Sequence, residues 1–245
     1  MEQQQRERQH FDQLADETGE IWWGSNTFAG LRRLQRRAEL VRLHLARFEA
    51  PSVLELGCGT GSFTRFLLDV LPTAHLTACD ISPSTIRRIQ ERYGTRPNTS
   101  FSVEDACHLS QADNSLEAVV GNSVLHHFPL EAALRETLRV LKSGGAIWFS
   151  EPNMLNPQIA LEKNVRWIGK RLQNSEDETA FFRWPLAAKL RRLGFTRVSV
   201  EPYDFLHPGT PESLTPSLEA LGLVMEKIPL LREFSGSLVI QAHKP

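Results

Sequence analysis

The stretch LELGCGTGSF, residues 54–63, sets Gly57, Gly59 and Gly61 at alternate positions behind an apolar run and the acid Glu55. An apolar run that buries as a strand, then glycines, then the helical pattern SFTRFLLDVL, gives a loop that turns tightly and lets main chain approach a ligand closely. The N–H groups opening the helix then face that ligand. The spacing is GxGxG, and Ser62 stands where a dinucleotide fingerprint has its third glycine. Asp80 ends the next apolar run, nineteen residues beyond Gly61. An acid at the tip of a second strand accepts hydrogen bonds from ribose hydroxyls in doubly wound folds. Asp105, after a third run, suits an exocyclic amine such as that of adenine. Taken singly, each acid is more often a helix cap or a turn residue; together they mark one carboxyl edge of a sheet as a ligand site.

The elements that must position these residues are legible as well. The runs SVLELG, AHLTACD, TSFSV, SLEAVVGN and GAIWFSE are strand candidates separated by helical stretches, so crossovers and a parallel sheet are expected between residues 52 and 151. Ser82 and Pro83 supply an N-cap and a first-turn proline for STIRRIQERY, and Gly94 a stop. A second helix, LEAALRETLRVL, starts after Pro129 and should end near Ser143 and the Gly144-Gly145 pair. Before the sheet, residues 28–48 place Leu31, Leu34, Ala38, Val41, Leu45 and Phe48 on one helix face. The other face holds Arg32, Arg33, Arg36, Arg37, Arg42 and Arg47. A phosphate-binding stripe is one reading of it; a solvated helix face is the preferred one, because no nucleic-acid module accompanies it. After residue 184 come the helix WPLAAKLRRLGF and the strands TRVSVEPY and SGSLVIQAHK. About thirty residues, 204–234, separate those strands, far more than a hairpin loop of ~2 to 5 residues, and they imply an added element with its own packing role.

The motifs VLELGCGTG, CDIS, EDA, GNSVLHHF and LKSGGAIWFSEPN, in that order, resemble the class I S-adenosylmethionine (SAM)-dependent methyltransferases, in the broad small-molecule branch that includes the ubiquinone-biosynthesis enzymes. The resemblance covers roughly residues 50–151 strongly and 184–245 in outline; it is specific for SAM and unspecific for the acceptor. It implies an α/β fold: a doubly wound, Rossmann-like, seven-stranded, mostly parallel sheet with an antiparallel last strand, helices on both faces and an N-terminal helical lid. The expected organisation is one domain, 1–245, with the lid at 1–50, the SAM-binding half at 51–151, and a substrate-capping segment with the closing strands at 152–245. Carried over by position, the resemblance places Glu55, Gly57, Gly59 and Gly61 around the methionine end of SAM. Asp80 would hold the ribose and Ile81 would lie against the adenine. Asp105 and the Ala106 backbone would meet the adenine amine, and Asn122 with Ser123 would line the methionine part. The product would be S-adenosylhomocysteine.

Methyl transfer from a sulfonium is an in-line displacement, so alignment and exclusion of water do much of the work. A base helps when the acceptor is a phenol, hydroxyl or protonated amine, and His126 and His127 lie just past the fourth strand. With a pKa near ~6.5, His127 is the preferred base; a structural hydrogen bond to backbone is its other reading. Trp22 and Trp23 either stack on the acceptor or anchor the lid. Glu151, Asn153 and Asn156 are expected at the pocket mouth, followed by a helix with Arg166, Lys170 and Arg171 on a wet face.

Composition bounds the rest. The 28 basic and 29 acidic side chains create no global field toward nucleic acid or an anionic membrane. No membrane span or signal-peptide pattern is present, so a cytoplasmic protein is expected. Cys58, Cys79 and Cys107 lack zinc or disulfide spacing and read as buried thiols, and no metal site is expected. The expected partner is a small-molecule acceptor, a secondary metabolite or a lipid- or sugar-linked intermediate, methylated at oxygen, nitrogen or carbon. A non-enzymatic SAM-binding module is the main alternative. Methylation of RNA or protein is disfavoured by GNSV where an NPPY-like tetrapeptide would stand, and an NAD oxidoreductase is the misreading the glycines invite.

Overall fold

A computed structural model of the chain describes residues 24–164 and 179–245. Five parallel strands, β1 (Ser52–Leu56), β2 (His75–Asp80), β3 (Thr99–Val103), β4 (Leu116–Asn122) and β5 (Leu141–Pro152), are followed by β6 (Thr196–Tyr203) and β7 (Ser237–His243). The sheet order is β3-β2-β1-β4-β5-β7-β6, with β7 antiparallel to both of its neighbours. The expected seven-stranded architecture is the observed one. The order reverses direction between β1 and β4, and such a switch point opens a crevice at the carboxyl ends of the strands.

The central strands are apolar on both sides because helices cover both faces. Leu54, Leu56, Val119, Ile147 and Phe149 face one layer, which includes α4 (Leu130–Val140) and α6 (Arg183–Leu193). Their alternates Val53, Ala118, Val120, Ala146 and Trp148 face the other, built by α1 (Phe28–His44) and α2 (Ser62–Val70). The period-2 alternation of a strand sends successive residues to opposite layers. Glu55 therefore shares the face of Val53 and is carried under α2. Leu34, Ala38 and Val41, spanning about two turns of α1, belong to this second layer, so the expected lid helix is built into the core along half its length.

Ser82 caps α3 (Pro83–Tyr93) by accepting from the Thr85 amide, proline opens the helix and Gly94 closes it, as the sequence suggests. The end of α4 differs from expectation. Leu141 turns extended, at φ −66° and ψ 139°, so the strand begins there and carries Gly144 and Gly145 inside it. Between β6 and β7 lie a 3-10 turn at Glu212–Leu214, α7 (Thr215–Met225) and the single turn α8 (Pro229–Arg232); a further short helix, α5 (Pro157–Asn164), follows β5. All three cysteines are buried, and none forms a disulfide among the described residues. Among the described residues no helix is long and apolar enough to cross a membrane.

Candidate functional site

The chain leaves β1 through three left-handed glycines, with φ of 63° at Gly57, 51° at Gly59 and 84° at Gly61, a region other residues enter only at a cost. Their side-chain vacancies do different jobs. A β-carbon on Gly57 would stand 2.1 Å from Val124 Cγ2, and one on Gly61 2.8 Å from Ile89 Cδ1. These two glycines let neighbouring elements close up. A β-carbon on Gly59 would meet nothing within 4 Å, because Gly59 borders a cavity of about 420 Å³. The loop is pinned by hydrogen bonds from Cys58 N to Cys79 O at 2.9 Å and from Gly59 N to Asp80 Oδ2 at 3.0 Å.

Nine of the ten residues expected around the cofactor line this one cavity: Glu55, Gly57, Gly59, Asp80, Ile81, Asp105, Ala106, Asn122 and Ser123. Gly61 is the exception, turned instead against Ile89 and Tyr93. Asp80 uses both oxygens on main chain, one on Gly59 and the other on Ser82 N at 3.0 Å. It thereby fixes the glycine loop relative to the start of α3. Asp105 closes the turn after β3 by accepting from Cys107 N at 2.9 Å, and its other oxygen lies 3.1 Å from His108 Nδ1. Glu55 is 1% exposed. Desolvation pushes its carboxyl up to about 8, opposed by the Thr64 hydroxyl and reinforced by the charge of Asp80. Its Oε2 is buried with no hydrogen-bond partner among the described residues. A main-chain cradle with one open glycine, flanked by carboxylates and one unspent carboxyl oxygen, suits a ligand with ribose hydroxyls and a cationic end.

On the opposite wall stand His126, His127, Phe128, Pro152 and Asn156. His126 Nδ1 is 2.6 Å from Glu151 Oε2, while Glu151 Oε1 accepts from Val124 N and Leu125 N, both at 2.8 Å. A carboxylate accepting from three sides sets the imidazole: Nδ1 carries the hydrogen, an assignment made from the network. Glu151 and Asn153 were expected at the pocket mouth, and here the structure corrects the sequence reading. Neither lines the cavity, and each is only 1% exposed. Glu151 holds the loop after β4 in shape. Asn153 donates to Glu233 O and Ser235 O, both at 2.8 Å, tying β5 to the chain entering β7. Trp22, Trp23, Arg166, Lys170 and Arg171 lie outside the described residues.

The arginine face of α1 is solvated only in part as expected: Arg32, Arg42 and Arg47 are exposed, but Arg33, Arg36 and Arg37 are covered. Arg33 Nε is 2.7 Å and Arg37 Nη2 3.1 Å from the same Asp204 oxygen, and Arg37 Nη1 donates to Asn122 Oδ1 at 2.7 Å. Arg33 and Arg37 both line the cavity. Arg36 forms a two-point pair with Glu226 at 2.7 and 2.6 Å, and Arg32 pairs with Glu219 at 2.9 Å. Burial pushes the Asp204 carboxyl up, but the charges of Arg33 and Arg37 outweigh it and hold the group below its usual range. The reason this part of the helix face is covered lies in the 204–234 segment, which lays three acids across it. The matching signal in the sequence was the seven-residue step from Glu219 to Glu226, which puts both acids on one side of a helix.

The cavity is therefore electrically polarised. Asp80, Glu104 and Asp105 gather at the β2–β3 end, whereas two guanidiniums share a single carboxylate at the α1 end.

Comparison with known proteins adds the following. A methyltransferase-domain family model matches residues 53–145. A malonyl-[acyl-carrier protein] O-methyltransferase of Methylococcus capsulatus is 29% identical over 202 residues, 80% of this chain and 71% of that one. A protein of the same name from Halorhodospira halophila is 34% identical over 161 residues, 65% of this chain but only 51% of its own length. Among solved structures, the N-methyltransferase NodS from Bradyrhizobium japonicum, in complex with S-adenosyl-L-homocysteine, superposes with a TM-score of 0.64 over 97% of this chain and 98% of NodS, at 19% identity. That last likeness is one of fold.

Proposed function

The chain belongs to the class I SAM-dependent methyltransferases, and from that premise we propose that it methylates a carboxylate oxygen of its acceptor. The observation that carries this reading is the pair Arg33 and Arg37. Both face the cavity, both are held by α1, and they share one counter-charge, Asp204, leaving the wall net positive. Arg37 Nε is moreover buried without a hydrogen-bond partner among the described residues. Guanidinium forks match planar carboxylates and orient them.

SAM, when bound, supplies an electrophilic methyl on a sulfonium. In this reading Glu55, Gly57, Gly59, Asp80, Ile81, Asp105, Ala106, Asn122 and Ser123 hold it in the acidic half of the cavity. The arginines turn an acceptor carboxylate toward it from the other half, and His127 and Phe128 exclude water between them. A carboxylate is already ionised at neutral pH, so no residue need remove a proton. Residues 51–151 thus form the SAM half, while α1 and the 204–234 segment close the acceptor side. A malonyl group ends in a carboxylate, so the names of the two malonyl relatives agree with this chemistry. An acyl thioester borne by a carrier protein is within the proposed acceptor class.

One observation favours a second reading. The Glu151–His126 pair is an oriented imidazole on the cavity wall, as a base for a hydroxyl acceptor would be. The two readings separate when SAM is supplied with malonyl and longer dicarboxylic thioesters, free dicarboxylates, phenols, alcohols and amines. We expect S-adenosylhomocysteine with the carboxylates, together with an ester that releases methanol in alkali. Turnover confined to phenols, alcohols or amines refutes carboxylate methylation.

A further inference from the structure

The 204–234 segment is built inside out. Helix α7 buries only Thr215 and Gly222, and α8 buries nothing. Leu206, near the start of the segment, is buried, but what its helices turn toward the body is polar: Glu219 and Glu226 reach Arg32 and Arg36 of α1, and Arg232 reaches Glu201. What it turns outward is apolar. Of the fifteen large apolar residues exposed among the described ones, nine fall between Leu214 and Phe234, including Leu221 at 53%, Val224 at 56% and Leu230 at 79%. Scattered exposed leucines are ordinary, but so dense a cluster on one short segment marks a surface that something covers.

We propose that this face docks on the same face of a second copy of the chain, forming a two-fold dimer. Charge decides against a lipid surface. An interfacial helix carries a lysine- and arginine-rich polar face, whereas the polar face of α7 carries acids, and those are spent on α1. The exposed charges between residues 212 and 231 are one of each sign, Glu212 and Lys227. An apolar centre depleted of charge is the composition of a homodimer interface.

Area agrees with a dimer. Nine half-covered side chains, at roughly 60 Å² of uncovered apolar surface each, expose on the order of 500 Å². At the roughly 65% apolar share of such interfaces, this corresponds to about 800 Å² per copy, the size of a standard partner surface. Leu221 and Val224 are one turn apart on α7, so an antiparallel pairing of two copies sets each against the other's counterpart. A two-fold interface needs that self-complementarity.

Sedimentation of the full chain from low to high micromolar concentration tests this. The wild type should sediment as a dimer, and the double variant L221E/V224E should dissociate at least 100-fold more readily, keeping its far-UV circular dichroism and its SAM affinity. L43E, which places a glutamate at an exposed leucine of α1 (60% exposed), should leave the dimer intact and so controls for surface charge. A wild type that is monomeric throughout this range overturns the proposal, as does a dimer that survives the double substitution. Flotation of a monomeric wild type with phosphatidylserine vesicles, lost in L221E/V224E, would overturn it in favour of a lipid surface.

Discussion

Replacing Glu55 by glutamine should remove a pH-dependent load on the fold and, with it, a proton that SAM must displace. Glu55 is 1% exposed, and desolvation lifts its carboxyl from 4.5 to about 8. Below pH 4.5 the folded and unfolded chains both carry the proton, and the titration of Glu55 contributes nothing to the pH dependence of stability. Between 4.5 and about 8 the unfolded chain releases it and the folded chain does not, so stability falls with rising pH by about 1.4 kcal/mol per unit. Above pH 8 both are ionised, and the accumulated loss is up to about 5 kcal/mol. E55Q keeps the shape without the charge. Its melting temperature should match the wild type near pH 4.5 and exceed it at pH 9 by on the order of 10–20 °C, at ~2–4 °C per kcal/mol for a chain of this size.

The same titration should appear in cofactor binding. If the unpaired Glu55 oxygen receives the cationic end of SAM, the ionised form is required, and wild-type affinity should fall about tenfold per pH unit below 8. E55Q should bind more weakly at pH 9 but lack that dependence. The amino group of SAM titrates equally against both proteins, so the difference between their slopes isolates Glu55. Calorimetry in buffers of unlike ionisation enthalpy should count close to one more proton released by the wild type at pH 7. Parallel slopes for the two proteins, or equal melting temperatures at pH 9, would refute the reasoning.

Four further outcomes follow from the site. Gly59→Val places a side chain in the open cavity at φ 51°; calorimetry should show SAM affinity reduced at least 100-fold, with a stability loss of only about 1–3 kcal/mol. Gly57→Ala, whose β-carbon collides with Val124, should instead lower the denaturation midpoint more than it changes affinity. Arg37→Met removes bonds to Asn122, Asp204 and Ser237 at once, so urea unfolding should register a loss of about 3–5 kcal/mol, and the acceptor KM should rise more than the SAM KM. His126→Gln should leave kcat for a carboxylate acceptor within about threefold and its pH profile flat; a loss of 10²–10⁴-fold, typical of a removed base, would refute the claim that the transfer needs no base.

The sheet and the glycine-loop side of the cavity were legible because both are written locally. Strand, glycine turn and helix follow one another within residues 52–70, and each acid at a strand tip lies a few residues from the run that places it. Gly61 shows the limit of that legibility. Its spacing matches that of Gly59, yet whether the missing side chain faces ligand or Ile89 depends on α3, which folds back from more than twenty residues away. Glu151 and Asn153 failed for a related reason. Polar residues at the end of a strand read as pocket residues until one knows that the loop after β4 and the chain entering β7 leave amides and carbonyls for them to satisfy. A buried polar side chain and a ligand-binding one look alike in sequence; only the partner's position separates them.

The arginines of α1 make the same point on a larger scale. A helix with cations on one face and leucines on the other normally turns the cations to water. That expectation assumes nothing else in the chain prefers the charged side. Segment 204–234 does, since Asp204, Glu219 and Glu226 take Arg33, Arg37, Arg32 and Arg36. The segment's helices are then left with their leucines outward, although the charges they answer lie some 190 residues away in sequence. Partly buried pairs of this kind contribute little net stability, because desolvation offsets their attraction, but losing one member strands the other. The arrangement is better at fixing geometry than at holding the fold together. It sets where Arg33 and Arg37 stand over the cavity, so the acceptor wall depends on a segment that no local pattern in α1 announces.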